Sequence, residues 1–146
     1  MERKRIDPVE FKQQLEKRTK DFAVAVFSLL NKLPKNVSNK VIAYQLGKSA
    51  SSIGANYREA NRAESREDFV HKLRIALKEA SETSYWLEVL SDLYSAENQT
   101  ISNQTISNQP ISNQPISNLL KEAVELRNLL QSICKSASQK SNNLKS

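Results

Sequence analysis

Two glycines, four prolines and one cysteine in 146 residues rule out most fold classes at once. β-Sandwiches and barrels need many tight turns, and so few glycines and prolines cannot supply them. A lone Cys134 excludes an internal disulfide framework and fits a reducing compartment. Long apolar runs are also missing. The longest, Phe22 to Leu30, is interrupted by Ser28 and is too short to span a bilayer. No apolar core of signal-peptide type follows the N-terminal "MERKRIDPVE", so the sequence reads as a cytoplasmic protein with no membrane partner. Acid is scarce over one stretch: between Phe22 and Arg58 there are five basic residues and no acidic one.

What is present favours helices. Lys, Glu, Leu, Ala and Ser dominate, and the length suits a single domain with one core. Asp7, Pro8 and Glu10 carry the pattern of a capped start, with Asp7 as cap and Glu10 closing the box. Phe11, Leu15, Phe22, Val26, Leu29 and Leu33 then recur at heptad spacing, with Arg18 in the one gap, until Pro34 stops the helix. A second helix is predicted from near Ser38 or Asn39, its seam running through Ile42, Leu46, Ser49, Ile53, Asn56 and Ala60. Ser65 with Asp68 caps a third, whose seam is Phe69, Leu73, Ala76, Ala80, Thr83, Leu87, Leu90 and Tyr94. Trp86, Val89 and Leu93 widen that seam into a broad apolar face. A fourth helix is predicted from about Asn118 through Leu119, Ala123, Leu126, Leu130, Ile133 and Ala137.

Four such helices with short links predict an all-α, antiparallel up-down-up-down four-helix bundle spanning residues 1–146. The third link differs. "NQTISNQTISNQPISNQPISN", Asn98 to Asn118, is a five-residue unit in four copies, which matches neither a solenoid repeat nor a heptad. It reads as a low-complexity surface loop over 98–117, since lengthening a loop costs little. Ile116 continues the fourth seam backwards into the last copy, and the polar tail 138–146 reads as disordered.

The second helix carries two further features. Gly47 and Gly54 fall on one side with Ala43, Ala50 and Tyr57, a stripe that lets another backbone approach closely and thereby offsets the helix penalty of glycine. That backbone belongs either to a helix of the same bundle or to a neighbouring subunit. Away from the core seam, Lys40, Lys48, Arg58 and Arg62 project into an arc of about 80°. Tyr44, Ser51 and Ala55 lie between them and Arg66 extends the row. Net charge is +6, concentrated in the first half of the chain. Such a face can neutralise phosphates of structured RNA or DNA, although it has no evident base-reading element. A solubilising surface is the alternative.

Catalytic chemistry is not indicated. His71 and Cys134 are single and outside metal-ligand spacing, and Glu79 and Glu82 lack the histidines of a di-iron bundle site. No phosphate-binding loop, nucleophile elbow or dinucleotide motif is present, so no enzyme, metal or cofactor is expected.

"SSIGANYREANRAESREDFVHKLRIALKEASETSYWLEVL", Ser51 to Leu90, resembles the signature region of bacterial four-helix-bundle proteins encoded in intervening sequences of 23S ribosomal RNA genes. "LPKN" at Leu33–Asn36 is also like that family, and Ile53–Ala60 with Ile75–Trp86 are the most specific parts. More distantly the chain is similar to the accessory variability determinant of diversity-generating retroelements. The resemblance implies a ring of subunits, a homopentamer, with the small stripe (Ala43, Gly47, Ala50, Gly54, Tyr57) at the subunit contact. It also implies partners among structured RNA and a reverse transcriptase. Two functions are therefore expected: an oligomeric nucleic-acid-binding bundle using Lys40, Tyr44, Lys48, Arg58, Arg62 and Arg66, or a structural ring that recruits a protein.

Overall fold

A computed structural model describes residues 4–101 and 113–144. The described residues form four helices, α1 (Pro8–Leu30), α2 (Val37–Asn61), α3 (Arg66–Ile101) and α4 (Asn113–Leu144). They form the antiparallel up-down-up-down bundle. Among the described residues the closest helix neighbours run around a ring, α1 to α2, α2 to α3, α3 to α4 and α4 back to α1. The interior is filled by the seams read from heptad spacing, with Phe22, Val26, Leu46, Ile53, Leu73, Leu87, Leu90, Leu126 and Leu130 all buried.

The helix starts show which local signals operate. The Asn39 backbone N–H donates to Asn36 Oδ1 at 2.8 Å, so Asn36 caps α2, which starts at Val37, one or two residues earlier than periodicity alone predicts. The buried Asn39 amide in turn donates to the Pro34 carbonyl at 2.8 Å and reaches the Tyr94 hydroxyl at 3.4 Å, tying the "LPKN" turn to α3. Ser65 caps α3 as expected, accepting from the Asp68 N–H at 3.0 Å. The box at α1 does not form: the Asp7 side chain makes no cap bond, and Glu10 instead accepts from Gln14 Nε2 at 3.1 Å.

Arg18, the charged gap in the α1 seam, faces α4. Its Nε donates to Glu122 and its Nη2 to Glu125, both at 2.6 Å. Here α1 and α4 share the sparsest helix contact of the ring, and an ion-paired fork bridges it.

Two boundaries differ from expectation. α3 runs on through Ile101 and α4 begins at Asn113, the first residue of the fourth pentapeptide copy. Pro115 falls in the first turn of α4, where its missing N–H has no intrahelical acceptor to lose. Ile116 is fully buried, and that burial is what draws the last copy into the helix. Most of the expected loop, 102–112, lies outside the described residues. α4 continues through Leu144, into the segment whose composition reads as disordered.

The small stripe is resolved too. Gly47, Ala50, Gly54 and Tyr57 are buried within the chain, and Ala43 packs partly buried against the same core. A Cβ at Gly54 would lie 2.9 Å from Thr19 Oγ1 and 3.1 Å from Thr19 Cβ; one at Gly47 would lie 3.0 Å from Phe27 Cε1. The backbone that approaches is α1 of the same subunit. The resemblance-based placement of this stripe between subunits is therefore corrected, because α1 already covers it.

The two glycines should respond differently to alanine. Thr19 is fully buried and holds its rotamer by hydrogen bonds to the Leu15 and Glu16 carbonyls at 2.9 and 3.0 Å, so it cannot yield to a new methyl. Phe27 is 46% exposed and its ring edge can swing outward. Gly54→Ala should lower stability by roughly 1–3 kcal/mol, as overpacking does. Gly47→Ala should be neutral or gain up to about 1 kcal/mol from helix propensity. Urea denaturation of both variants checks this, and equal losses would show that Phe27 is as fixed as Thr19.

Candidate nucleic-acid interface

Burial of Ile42, Leu46, Ser49, Ile53 and Ala60 turns the opposite side of α2 to solvent. Lys40, Tyr44, Lys48, Arg58, Arg62 and Arg66 are all exposed, as the charge pattern implied. At 1.5 Å per residue, the row from Lys40 to Arg62 runs about 33 Å along the bundle. Tyr44 is 66% exposed and lies under a cation, with Lys48 Nζ 5.9 Å from its ring centroid. Arg62 Nη1 donates to the Arg58 carbonyl at 3.3 Å, an interaction that lays one guanidinium back along the last turn of α2. Ser51 and Ser52, between the two halves of the row, spend their hydroxyls on the Gly47 and Lys48 carbonyls at 2.8 and 2.7 Å. The arrangement offers cations and one aromatic ring, with little spare hydroxyl donation.

Acids border this face. Glu16 of α1 lies 3.9 Å from Arg62. Glu59 is engaged by Lys72 of α3 at 2.9 Å, on the far flank. Glu79 of α3 feels Lys48 across the α2–α3 groove. Glu16 and Glu79 come from other helices, so only the tertiary arrangement brings them to the stripe. The periodicity that placed them on their own helices was the one available signal.

Glu79 is held above its ordinary carboxylate value, chiefly because it is partly withdrawn from water and then because Glu82 lies nearby; Lys48 and Lys78 pull the other way. A carboxylate whose pKa is raised by folding stabilises the fold when protonated. Its favourable contribution is complete below the unfolded value and is lost as pH rises through the folded one. Glu79→Gln should therefore raise the melting temperature at pH 7, and the gain should disappear as pH falls below about 4.5. Thermal melts across that range test it, and a variant less stable at pH 7 would show that the Lys48 attraction outweighs the desolvation.

His71 is exposed and Cys134 is buried as a small core residue. Among the described residues no group of three or more His, Cys, Asp or Glu side chains could hold a metal ion, and no helix is long and apolar enough to cross a membrane.

The fold is that of an all-helical antiparallel bundle, with a basic row exposed along α2. Within that class the chain belongs to the 23S rRNA-intervening sequence protein family, whose model matches residues 12–114. Among solved structures it is similar to a protein of unknown function from the S23 ribosomal protein family of Bacteroides thetaiotaomicron. The two are 36% identical with a TM-score of 0.64, and the match covers 85% of this chain and 97% of the other. No curated protein matches the chain.

Proposed function

We propose that this protein is a non-enzymatic helical bundle that binds structured RNA or DNA through phosphate contacts along the exposed face of α2. One observation supports this most: Lys40, Tyr44, Lys48 and Arg58 share the exposed side of α2, with Arg62 at its C-cap and Arg66 opening α3, while the core is built from the opposite side of α2. Rigid presentation matters because ordered cations on a helix lose less entropy on meeting a polyanion than cations on a loop. The row lacks a base-reading element, so recognition is led by backbone and shape.

A second reading, a self-associating ring that recruits a protein, is favoured by a separate observation. Val37 and Val41 of α2 and Phe27 of α1 are exposed by 83%, 49% and 46%. With the small stripe covered by α1, this apolar surface is the one that self-association into a homopentamer would use.

Replacing Arg58 and Arg62 by Gln separates the two. Both are exposed, so the melting temperature should change by little. Affinity for a labelled structured RNA should fall, and the slope of log K against log salt should flatten by about one unit per lost phosphate contact. Filter binding at several salt concentrations measures it. Binding that keeps its original slope would move the interface elsewhere, and no binding by the unaltered protein at low salt would favour the ring.

A further inference from the structure

The exposed row of α2 is not uniform along its length. Its large exposed apolar side chains, Val37, Val41 and Tyr44, all lie between the first residue of the helix and Tyr44, and the cations among and just beyond them are lysines, Lys40 and Lys48. At the other end the cations are Arg58 and the C-cap Arg62, with no large apolar side chain exposed beside them among the described residues. Phosphate contact needs charge alone. Exposed apolar surface set among cations calls for a different occupant.

The apolar end opens into a cavity of about 640 Å³ between the end of α1 and the start of α2, within the range of ligand-sized pockets. Leu30, Leu33, Pro34, Val37 and Ala43 supply its apolar lining. Beyond Ala43 the groove between the two helices carries on to Gly47, against which the half-exposed Phe27 ring lies. Val24, 58% exposed, stands about one turn before Phe27 on the same side of α1. From Val37 to Gly47 the groove runs about 15 Å, the length of two to three helical turns.

Charge identifies what fits there. Among the described residues, the ionisable side chains that line the cavity are Lys35 and Lys40, and Lys32 stands in the same turn. None of these three lysines forms an ion pair among the described residues. No acidic residue occurs between Phe22 and Arg58, so neither helix supplies a neutralising group along this stretch. A second copy meeting the surface about a twofold axis would set the lysines against their own images. An apolar groove rimmed by unneutralised cations fits an apolar stripe flanked by carboxylates.

We infer that the groove between the end of α1 and the first half of α2 docks an acidic amphipathic helix of a partner protein. The apolar stripe of that helix, spaced i, i+3, i+4 and i+7, enters the cavity over Leu33, Val37 and Ala43 and continues towards Phe27. Its carboxylates meet Lys32, Lys35 and Lys40. This supplies the chemistry of the recruited protein in the second reading above, and it rests on recruitment alone and not on the ring. The arginine end of α2 stays open to phosphates, so a docked helix and RNA overlap only at Lys40, Tyr44 and Lys48.

The probe is a synthetic peptide of about fourteen residues, with leucine at that spacing, glutamate at the outward positions and a terminal fluorophore. A control peptide of the same composition has its leucines scattered around the helix. Fluorescence anisotropy with the full-length protein should show at least tenfold tighter binding of the first. The backbone amides of Val37, Lys40 and Ala43 should shift with that peptide in 15N NMR, a readout that needs no substitution. Val37→Ser with Lys35→Gln should weaken peptide binding at least tenfold and change the melting temperature little, since both side chains are exposed. Arg58→Gln with Arg62→Gln should leave peptide affinity intact, so failure of the RNA reading and failure of this one remain separate. Equal affinity for the two peptides, or amide shifts confined to residues outside the groove, overturns the proposal. So does a self-assembled form in sedimentation that Val37→Ser with Lys35→Gln dissociates, because the groove then belongs to a second copy.

Discussion

The close contact of α2 with α1 at Gly54 and Thr19 sets the rotation of α2 about its own axis, and the rest of the molecule follows from that rotation. A side chain at either glycine would hold the helices apart or turn α2 to find room. With the glycine backbone seated on Thr19, Ile42, Leu46 and Ile53 point inward. The lysines and arginines at intervening positions then have one direction left, outward. A basic face is therefore a by-product of how the core is keyed as well as of the charges themselves. The glycine cost in helix propensity, roughly 1 kcal/mol per residue, is offset by the burial that close approach permits.

On its other side α2 is keyed to α3 by polar groups. The hydroxyls of Ser49 and Thr83 lie hydrogen-bonded at 2.9 Å in the interior, and Thr83 also donates to the Glu79 carbonyl one turn back. Thr19 and Ser84 are buried and likewise donate to carbonyls within their own helices. Each hydroxyl thus carries its own acceptor, so these small polar side chains sit in the core without the penalty of an unmade bond. At the open side of the ring the device is ionic: Arg18 closes on two glutamates of α4 while remaining partly solvated, which limits the cost of burying charge.

Helix number, order and core seams were legible because heptad spacing reports burial directly, and Leu73, Ala76, Ala80, Thr83, Leu87 and Leu90 show it without interruption. Other features depend on information that a one-dimensional pattern does not hold. The stripe around Gly47 and Gly54 announced a close approach, but the identity of the approaching helix is a tertiary fact, and α1 proved to be the partner. Asp7 has the composition of a cap, yet its side chain makes no cap bond. The tail from residue 138 is polar enough to read as frayed, while α4 in fact continues through Leu144. The basic row was visible in outline. Its acidic neighbours Glu16 and Glu79 were not, since they are far from it in sequence and reach it only when the bundle closes.

The entry of α4 at the first residue of a pentapeptide copy has a genetic consequence. The copies are near-identical, so gain or loss of an internal one leaves the same Asn-Gln-Pro-Ile-Ser segment adjoining the fourth helix, with the isoleucine still at the position occupied here by Ile116. Replication slippage in such a tract changes the distance between α3 and α4 along the chain and leaves the heptad register of either helix untouched. The terminal copy acts as a fixed splice between a length-variable segment and an invariant core. Copy number can therefore drift between otherwise similar chains without any compensating change in the bundle interior.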